Sequence, residues 1–259
     1  MRALRSMISG AVLSALAIAL PAVGPAVAAG DVPTPPAQNW SFDRIFGTFD
    51  LAAAQRGFQV YSEVCAACHS MRLLHYRDLA GIGLTTDQIK AIAAAVTVPQ
   101  GLDDQGVPKE GPGTPASRFK RPFPNDVAAR AGNGGALPPD LTLISNAFLN
   151  GPDYIHAILT GYADPPAGMK MMDGMNFNRY FAGNQIAMPQ PLRDGQVTYA
   201  DGTTASIEQM SRDVVTFMTW AANPEMVERK QMGVRVILFL LFMTCVTYAV
   251  KRKIWADVH

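Results

Sequence analysis

Apolar side chains recur at steps of three and four over Leu51, Ala54, Phe58, Tyr61 and Cys65, and again over Ile207, Met210, Val214, Phe217 and Ala221. That period places each set on one face of an α-helix. Asp50 stands where an N-cap or first-turn acid belongs. Thr204 or Ser206 is placed to cap the later helix, and Pro224 to end it. Gly57 leaves room for another helix to approach closely, so the later helix is predicted to cross the earlier one. Shorter helical patterns cover Thr86 to Ala95 and roughly Asp153 to Gly161. Between them, Gly101 to Pro139 is rich in Gly and Pro and has no sustained period, which predicts a long irregular wrap. No internal repeat is present.

Two further apolar runs lie at the ends. Arg2 and Arg5 precede an apolar stretch from Met7 to Leu20, which Pro21 and Gly24 break before Ala26-Val27-Ala28. A charged start, a short apolar core and small residues at the close make a secretory signal over residues 1–29, with the mature chain beginning near Ala29 or Gly30. An uncleaved first membrane helix is the alternative, but the stretch is short for a span. Met232 to Val250 carries one charge, Arg235, near its start. At about 1.5 Å per residue it is roughly 28 Å long, close to the hydrocarbon thickness of a bilayer. Arg229 and Lys230 flank it on one side and Lys251, Arg252 and Lys253 on the other; Tyr248 and Trp255 suit an interface. Residues 229–253 therefore read as a single membrane anchor rather than a buried soluble helix. The export signal puts residues 30–228 outside the cytoplasmic membrane of a bacterium and leaves 254–259 as a short cytoplasmic tail.

Charge and cysteine content narrow the chemistry. The formal charge is +1. Without Arg2 and Arg5, the basic residues fall to one fewer than the 21 acidic ones, so no nucleic-acid surface is expected. Three cysteines are too few for a disulfide framework. Cys245 lies in the apolar run and reads as filler.

Cys65-Ala66-Ala67-Cys68-His69 is the c-type haem attachment pattern. Two thiols add across two vinyl groups on one edge of the porphyrin. A helical turn with two intervening residues brings both sulfurs to one face, and the next residue is then aimed under the ring, where an imidazole reaches iron. A redox dithiol would want a thioredoxin-like context, and a zinc site a second ligand pair; neither is visible. One such motif implies one covalently bound haem c, with His69 an axial ligand. His69 should be oriented by donating its other ring nitrogen to a carbonyl near Pro138.

The sixth ligand must come from another segment. His75 lies too near His69 to cross the ring, His156 sits in an apolar helical stretch, and His259 is at the extreme terminus. Met188 stands in the loop Ala187-Met188-Pro189-Gln190-Pro191, stiffened by prolines, before the last helix of the head, where a small c-type fold supplies its distal ligand. Met169, Met171, Met172 and Met175 compete with it. Asp103, Asp104 and Glu110 are acids that a basic partner would feel.

Over Trp40 to Trp255 the chain resembles the cytochrome c1 family, the haem subunits of the cytochrome bc1 complex (ubiquinol–cytochrome c reductase). The resemblance is carried by Arg56-Gly57-Phe58-Gln59-Val60-Tyr61 through the Cys65–His69 motif to Tyr76-Arg77, by Gly135-Ala136-Leu137-Pro138-Pro139-Asp140-Leu141, by Leu159-Thr160-Gly161-Tyr162, and by Ala187-Met188-Pro189 with Tyr199-Ala200-Asp201-Gly202-Thr203. Trp220-Ala221-Ala222-Asn223-Pro224, followed by Arg229-Lys230-Gln231-Met232-Gly233 and a span, is its most specific part. It implies a mainly α c-type cytochrome head with long irregular insertions and one C-terminal transmembrane helix. It also implies Cys65 and Cys68 as thioether sites and His69 and Met188 as axial ligands. The implied partners are a cytochrome b subunit, a Rieske-type iron–sulfur subunit as donor, and a soluble c-type cytochrome as acceptor. Relatives often carry an arginine shortly after Pro-Pro-Asp-Leu for a haem propionate. Here that region reads Ser145-Asn146-Ala147-Phe148, and Arg130 and Arg77 are the substitutes in reach. The extra cysteine pair of some bacterial relatives is also absent. A stand-alone tethered carrier serving a terminal oxidase, or a haem sensor or peroxidase with an open sixth position, are the competing functions.

Overall fold

The computed structural model describes residues 32–257. The predicted signal segment and His259 lie outside the described residues. Apart from short 3-10 turns, ten helices and strands follow in order among the described residues: α1 (Leu51–Glu63), α2 (Thr86–Ala94), β1 (Thr97–Leu102), β2 (Pro108–Pro112), α3 (Asp126–Gly132), α4 (Gly151–Thr160), β3 (Asn176–Phe177), β4 (Gln185–Ile186), α5 (Ile207–Ala222) and α6 (Met226–Ile254). The chain is thus mainly α with short strands, as expected.

Local chemistry sets the helix ends. Asp50 accepts from Ala53 N at the start of α1, and Ser206, not Thr204, accepts from Gln209 N at the start of α5. Thr85 and Gln88 form a reciprocal capping box on α2. α4 begins two residues before the predicted start, because Pro152 fits the first helical turn, where no backbone N–H is needed.

The centre of the head is the packing of α1 on α5. A Cβ on Gly57 would collide with the backbone carbonyl of Asp213 and lie 2.8 Å from Phe217 Cβ, so only glycine permits this crossing. One residue earlier, Arg56 grips the fully buried Asp213 with two hydrogen bonds, 3.0 and 2.9 Å, and reaches Asp201 at 2.9 Å. This pairing offsets the cost of burying Asp213. Beside it, the rings of Phe58, Tyr61, Tyr76, Phe119, Phe217 and Trp220 form a continuous aromatic cluster, with neighbouring centroids 4.8–6.0 Å apart. α4 packs on the other side of α5, where His156 is buried with Nδ1 2.9 Å from Ser211 Oγ.

The segment Gly101 to Pro139 corrects one expectation. It is not irregular throughout: β1 and β2 form an antiparallel hairpin with a register shift between Pro99 and Leu102, and α3 follows, capped by Asn125. The hairpin lies on the surface with almost every residue exposed, so no alternation of buried and exposed positions marks it in the sequence. α6 also begins earlier than the apolar run. It is one continuous helix of 29 residues, long and apolar enough to cross a membrane, and no part of its most apolar stretch is buried against the head.

Candidate functional site

α1 ends at Glu63, and the chain tightens into a single 3-10 turn over Cys65–Ala67. Cys65 therefore lies just past the helix rather than in it. Its carbonyl accepts from both Cys68 N at 3.1 Å and His69 N at 2.9 Å. Those two bonds fold Cys65, Cys68 and His69 onto one compact turn. No disulfide joins them; Cys65 is half-buried and Cys68 exposed. Burial, and then the neighbouring Cys68, push the Cys65 thiol up to about 12. A reactive redox dithiol needs the opposite shift.

His69 Nδ1 lies 2.8 Å from the carbonyl oxygen of Pro139. A carbonyl only accepts, so Nδ1 carries the proton and the lone pair of the neutral ring resides on Nε2. Burial lowers the His69 pKa, against the opposing pull of Pro139 and Asp140, which favours the neutral ring. The orienting carbonyl was expected near Pro138 and is that of the next residue.

The Pro139 segment is itself strapped down. Asp140 Oδ2 accepts from Ser70 Oγ at 2.7 Å and from Arg72 N at 2.9 Å. Its Oδ1 accepts from Thr142 Oγ1 at 2.6 Å and Thr142 N at 3.0 Å. Leu141 N donates to Ser70 O, and Tyr61 Oη donates to His69 O. Burial alone would raise the Asp140 carboxyl, but these four bonds outweigh it and hold it below the usual range. Asp140 lies within the Gly135–Leu141 motif, where the sequence alone assigns it no task. Its adjacency to two prolines was the available signal: a stiff segment with one acid is suited to clamping a loop.

Met188 stands on a separate, independently tethered loop. Its carbonyl accepts from Tyr162 Oη at 3.0 Å and Asn176 Nδ2 at 3.4 Å. Burial raises the Tyr162 pKa, so the phenol stays protonated and able to donate. The β3–β4 pair leads into the loop through Ile186, and the fully buried Leu192 closes it. The fully buried Asn178 braces the region by donating to Ile158 O at 2.7 Å. Tyr162 came from the motif Leu159–Tyr162, whereas Asn176 and Asn178 were missed. Among the competing methionines, Met172 is exposed. Arg130 donates to Gly135 O at 3.1 Å, in the glycine turn before Pro138, and Arg77 is largely exposed.

The donor set suits a haem. Two cysteines on one turn, an imidazole with one nitrogen fixed by a carbonyl, and a thioether on a separately tethered segment are the groups that c-type attachment with His/Met ligation requires. They do not suit a protein-only metal site, because no three His, Cys, Asp or Glu side chains cluster among the described residues.

Residues 40–258 match the family model described as the Cytochrome C1 family. A potato protein named "Cytochrome c1-2, heme protein, mitochondrial" is 48% identical over 219 residues, spanning 85% of this chain and 84% of its own. Cytochrome c1 of Rhodospirillum rubrum is 44% identical over 237 residues, spanning 85% and 87%. A Candida albicans protein named "Cytochrome b-c1 complex catalytic subunit, mitochondrial" is 46% identical over 225 residues, spanning 86% and 78%. With the match running from the buried Trp40 through the Cys–His turn to the end of α6, the chain belongs to the cytochrome c1 family of haem proteins.

Proposed function

We propose that this chain is the one-electron relay of a cytochrome bc1 complex, carrying a single haem c bonded to Cys65 and Cys68 and ligated by His69 and Met188. When bound, the haem supplies a reversible one-electron change at iron. This chain's residues do the rest. The Cys65–His69 turn fixes the cofactor's edge, and Pro139 with Asp140 hold the imidazole in one tautomer and one orientation. Tyr162 and Asn176 position the Met188 segment without occupying its sulfur. A thioether opposite an imidazole raises the potential of such a centre. No acid, base or nucleophile of the chain is needed.

Residues 30–228 are the haem-bearing head in the periplasm, and 229–253 anchor it to a bacterial inner membrane. Electrons arrive from a Rieske-type iron–sulfur subunit beside a cytochrome b subunit and leave to a soluble c-type cytochrome. The observation that carries the reading is the His69 Nδ1–Pro139 carbonyl bond on the turn that also holds Cys65 and Cys68, because it leaves Nε2 available on the same turn. The R. rubrum and C. albicans relatives support the assignment to the complex.

Purification in a mild detergent tests it. The chain should emerge with a cytochrome b and an iron–sulfur subunit, and with a six-coordinate low-spin spectrum. A chain that purifies alone and reduces an oxidase at full rate is the stand-alone carrier instead. A high-spin haem that binds exogenous ligands is a sensor or peroxidase.

A further inference from the structure

The segment before α1 presents two large apolar side chains outward. Ile45 is 70% exposed and Phe46 81% exposed, although their neighbours Phe42 and Phe49 are buried. The loop that carries them is built rather than loose. Asp43 N donates to Trp40 O, Trp40 N donates to the Asp43 carboxylate, and Gly47 N donates to Arg44 O at 2.8 Å. Asp50 N donates to Ser41 Oγ, and a Cβ on Gly47 would lie 2.7 Å from Ser41 O, so the turn closes only on glycine. A rigid turn that holds Ile and Phe in water would be costly, which calls for an apolar phase outside the head.

The place of the turn identifies that phase. Lys230, in the second turn of α6, donates its ammonium to the carbonyl oxygens of both Phe42 and Arg44, the latter at 2.7 Å. The turn is therefore stapled to α6 just before the apolar run begins at Met232. Arg235 lies five residues on, roughly 7–8 Å along the helix at about 1.5 Å per residue. Arg44 belongs to the turn itself, and Arg229 and Arg235 precede and follow Lys230 along α6, so basic residues bracket the stretch of the anchor where the two apolar tips are stapled. Basic groups around inserted apolar side chains are the chemistry of an anionic lipid headgroup boundary.

We propose that the Ile45–Phe46 turn is a second membrane contact, seated in the headgroup–acyl boundary of an anionic bilayer, and that Lys230 locks it to α6. The head then meets the bilayer at two points, so its tilt is fixed. This rests on α6 spanning the membrane, and the test separates the two claims. A nitroxide is placed on Phe46→Cys in a Cys245→Ser background, and separately on the native Cys245. The full chain, with the subunits that purify with it, is reconstituted in vesicles of phosphatidylethanolamine and phosphatidylglycerol. Accessibility to oxygen, which partitions into lipid, is compared with that to a water-soluble nickel chelate.

The expected result is oxygen favoured severalfold over nickel at Phe46→Cys, and more strongly still at Cys245. Ile45→Cys should behave as Phe46→Cys does. Nickel access exceeding oxygen access at position 46, with Cys245 in lipid, overturns the second contact and leaves the anchor intact. Low access to both reagents at position 46 means a protein subunit covers the turn and also overturns it. Nickel access at Cys245 overturns the anchor itself. In a Lys230→Met chain the label at position 46 should lose its lipid preference while the label at position 245 keeps it; an unchanged preference at position 46 removes Lys230 from the proposal.

Discussion

The two halves of the candidate haem site are built to different standards. The Cys65–His69 turn follows directly from α1, which is locked to α5 by a glycine crossing and a buried ion pair. Its imidazole is fixed by a carbonyl whose own segment takes four side-chain bonds through Asp140. The Met188 loop leans on two-residue strands, prolines and two hydrogen bonds to one main-chain carbonyl. The contrast teaches a division of labour. Covalent attachment needs a turn that already has the right shape, while a single thioether needs only a segment that stays close. The proximal side should therefore decide whether a holoprotein exists, and the distal side what potential it has.

The sharpest break of that comparison is His69→Ala. It should abolish the low-spin spectrum and strongly reduce the yield of haem-loaded chain; a normal spectrum would remove the asymmetry altogether. Next in size is Met188→Leu, which should keep the haem attached yet lower the midpoint potential by well over the ~59 mV that marks a tenfold shift. Redox titration reads it, and an unchanged midpoint returns the ligand to Met169, Met171, Met172 or Met175. Asp140→Asn should lower unfolding free energy by about 1–3 kcal/mol, as expected for a carboxylate holding several bonds, and broaden the low-spin spectrum as His69 loses its fixed carbonyl. Tyr162→Phe should cost less, about 0.5–1.5 kcal/mol, and move the potential only slightly, because it removes one bond to the Met188 carbonyl.

A control lies away from both halves. Burial lowers the His156 pKa below its usual value, with Arg212 adding to this and Glu208 and Asp153 opposing it. A depressed folded-state pKa means its contribution is present above the unfolded value, about 6.5, and fades as pH falls below it. Denaturation at stepped pH should show that acid slope, and His156→Gln should flatten it without moving the midpoint potential.

The same contrast explains how much was legible in the sequence. α1 buries one face and α5 is buried nearly all round, yet Phe58, Tyr61, Val214 and Phe217 still fall on the apolar period, and Asp50 and Ser206 mark the starts. Gly57 foretold the crossing because nothing else fits there. The motif Cys65–His69 names its chemistry by residue type. The β1–β2 hairpin was invisible because it buries almost nothing, and Asp140 and Asn178 because their partners lie far off in sequence: Asp140 strapped to Ser70 and Arg72, Asn178 to Ile158. The turn at Ile45 and Phe46 was passed over because two apolar residues have no period; only the contact with Lys230 gives them a place.

The attachment itself admits the most direct test. The chain is purified, denatured, extracted with acidified acetone and digested, and the fragment containing Cys65, Cys68 and His69 is weighed by mass spectrometry. The fragment should carry one haem through two thioether bonds and stay coloured after extraction; a colourless fragment with two unmodified thiols contradicts the account.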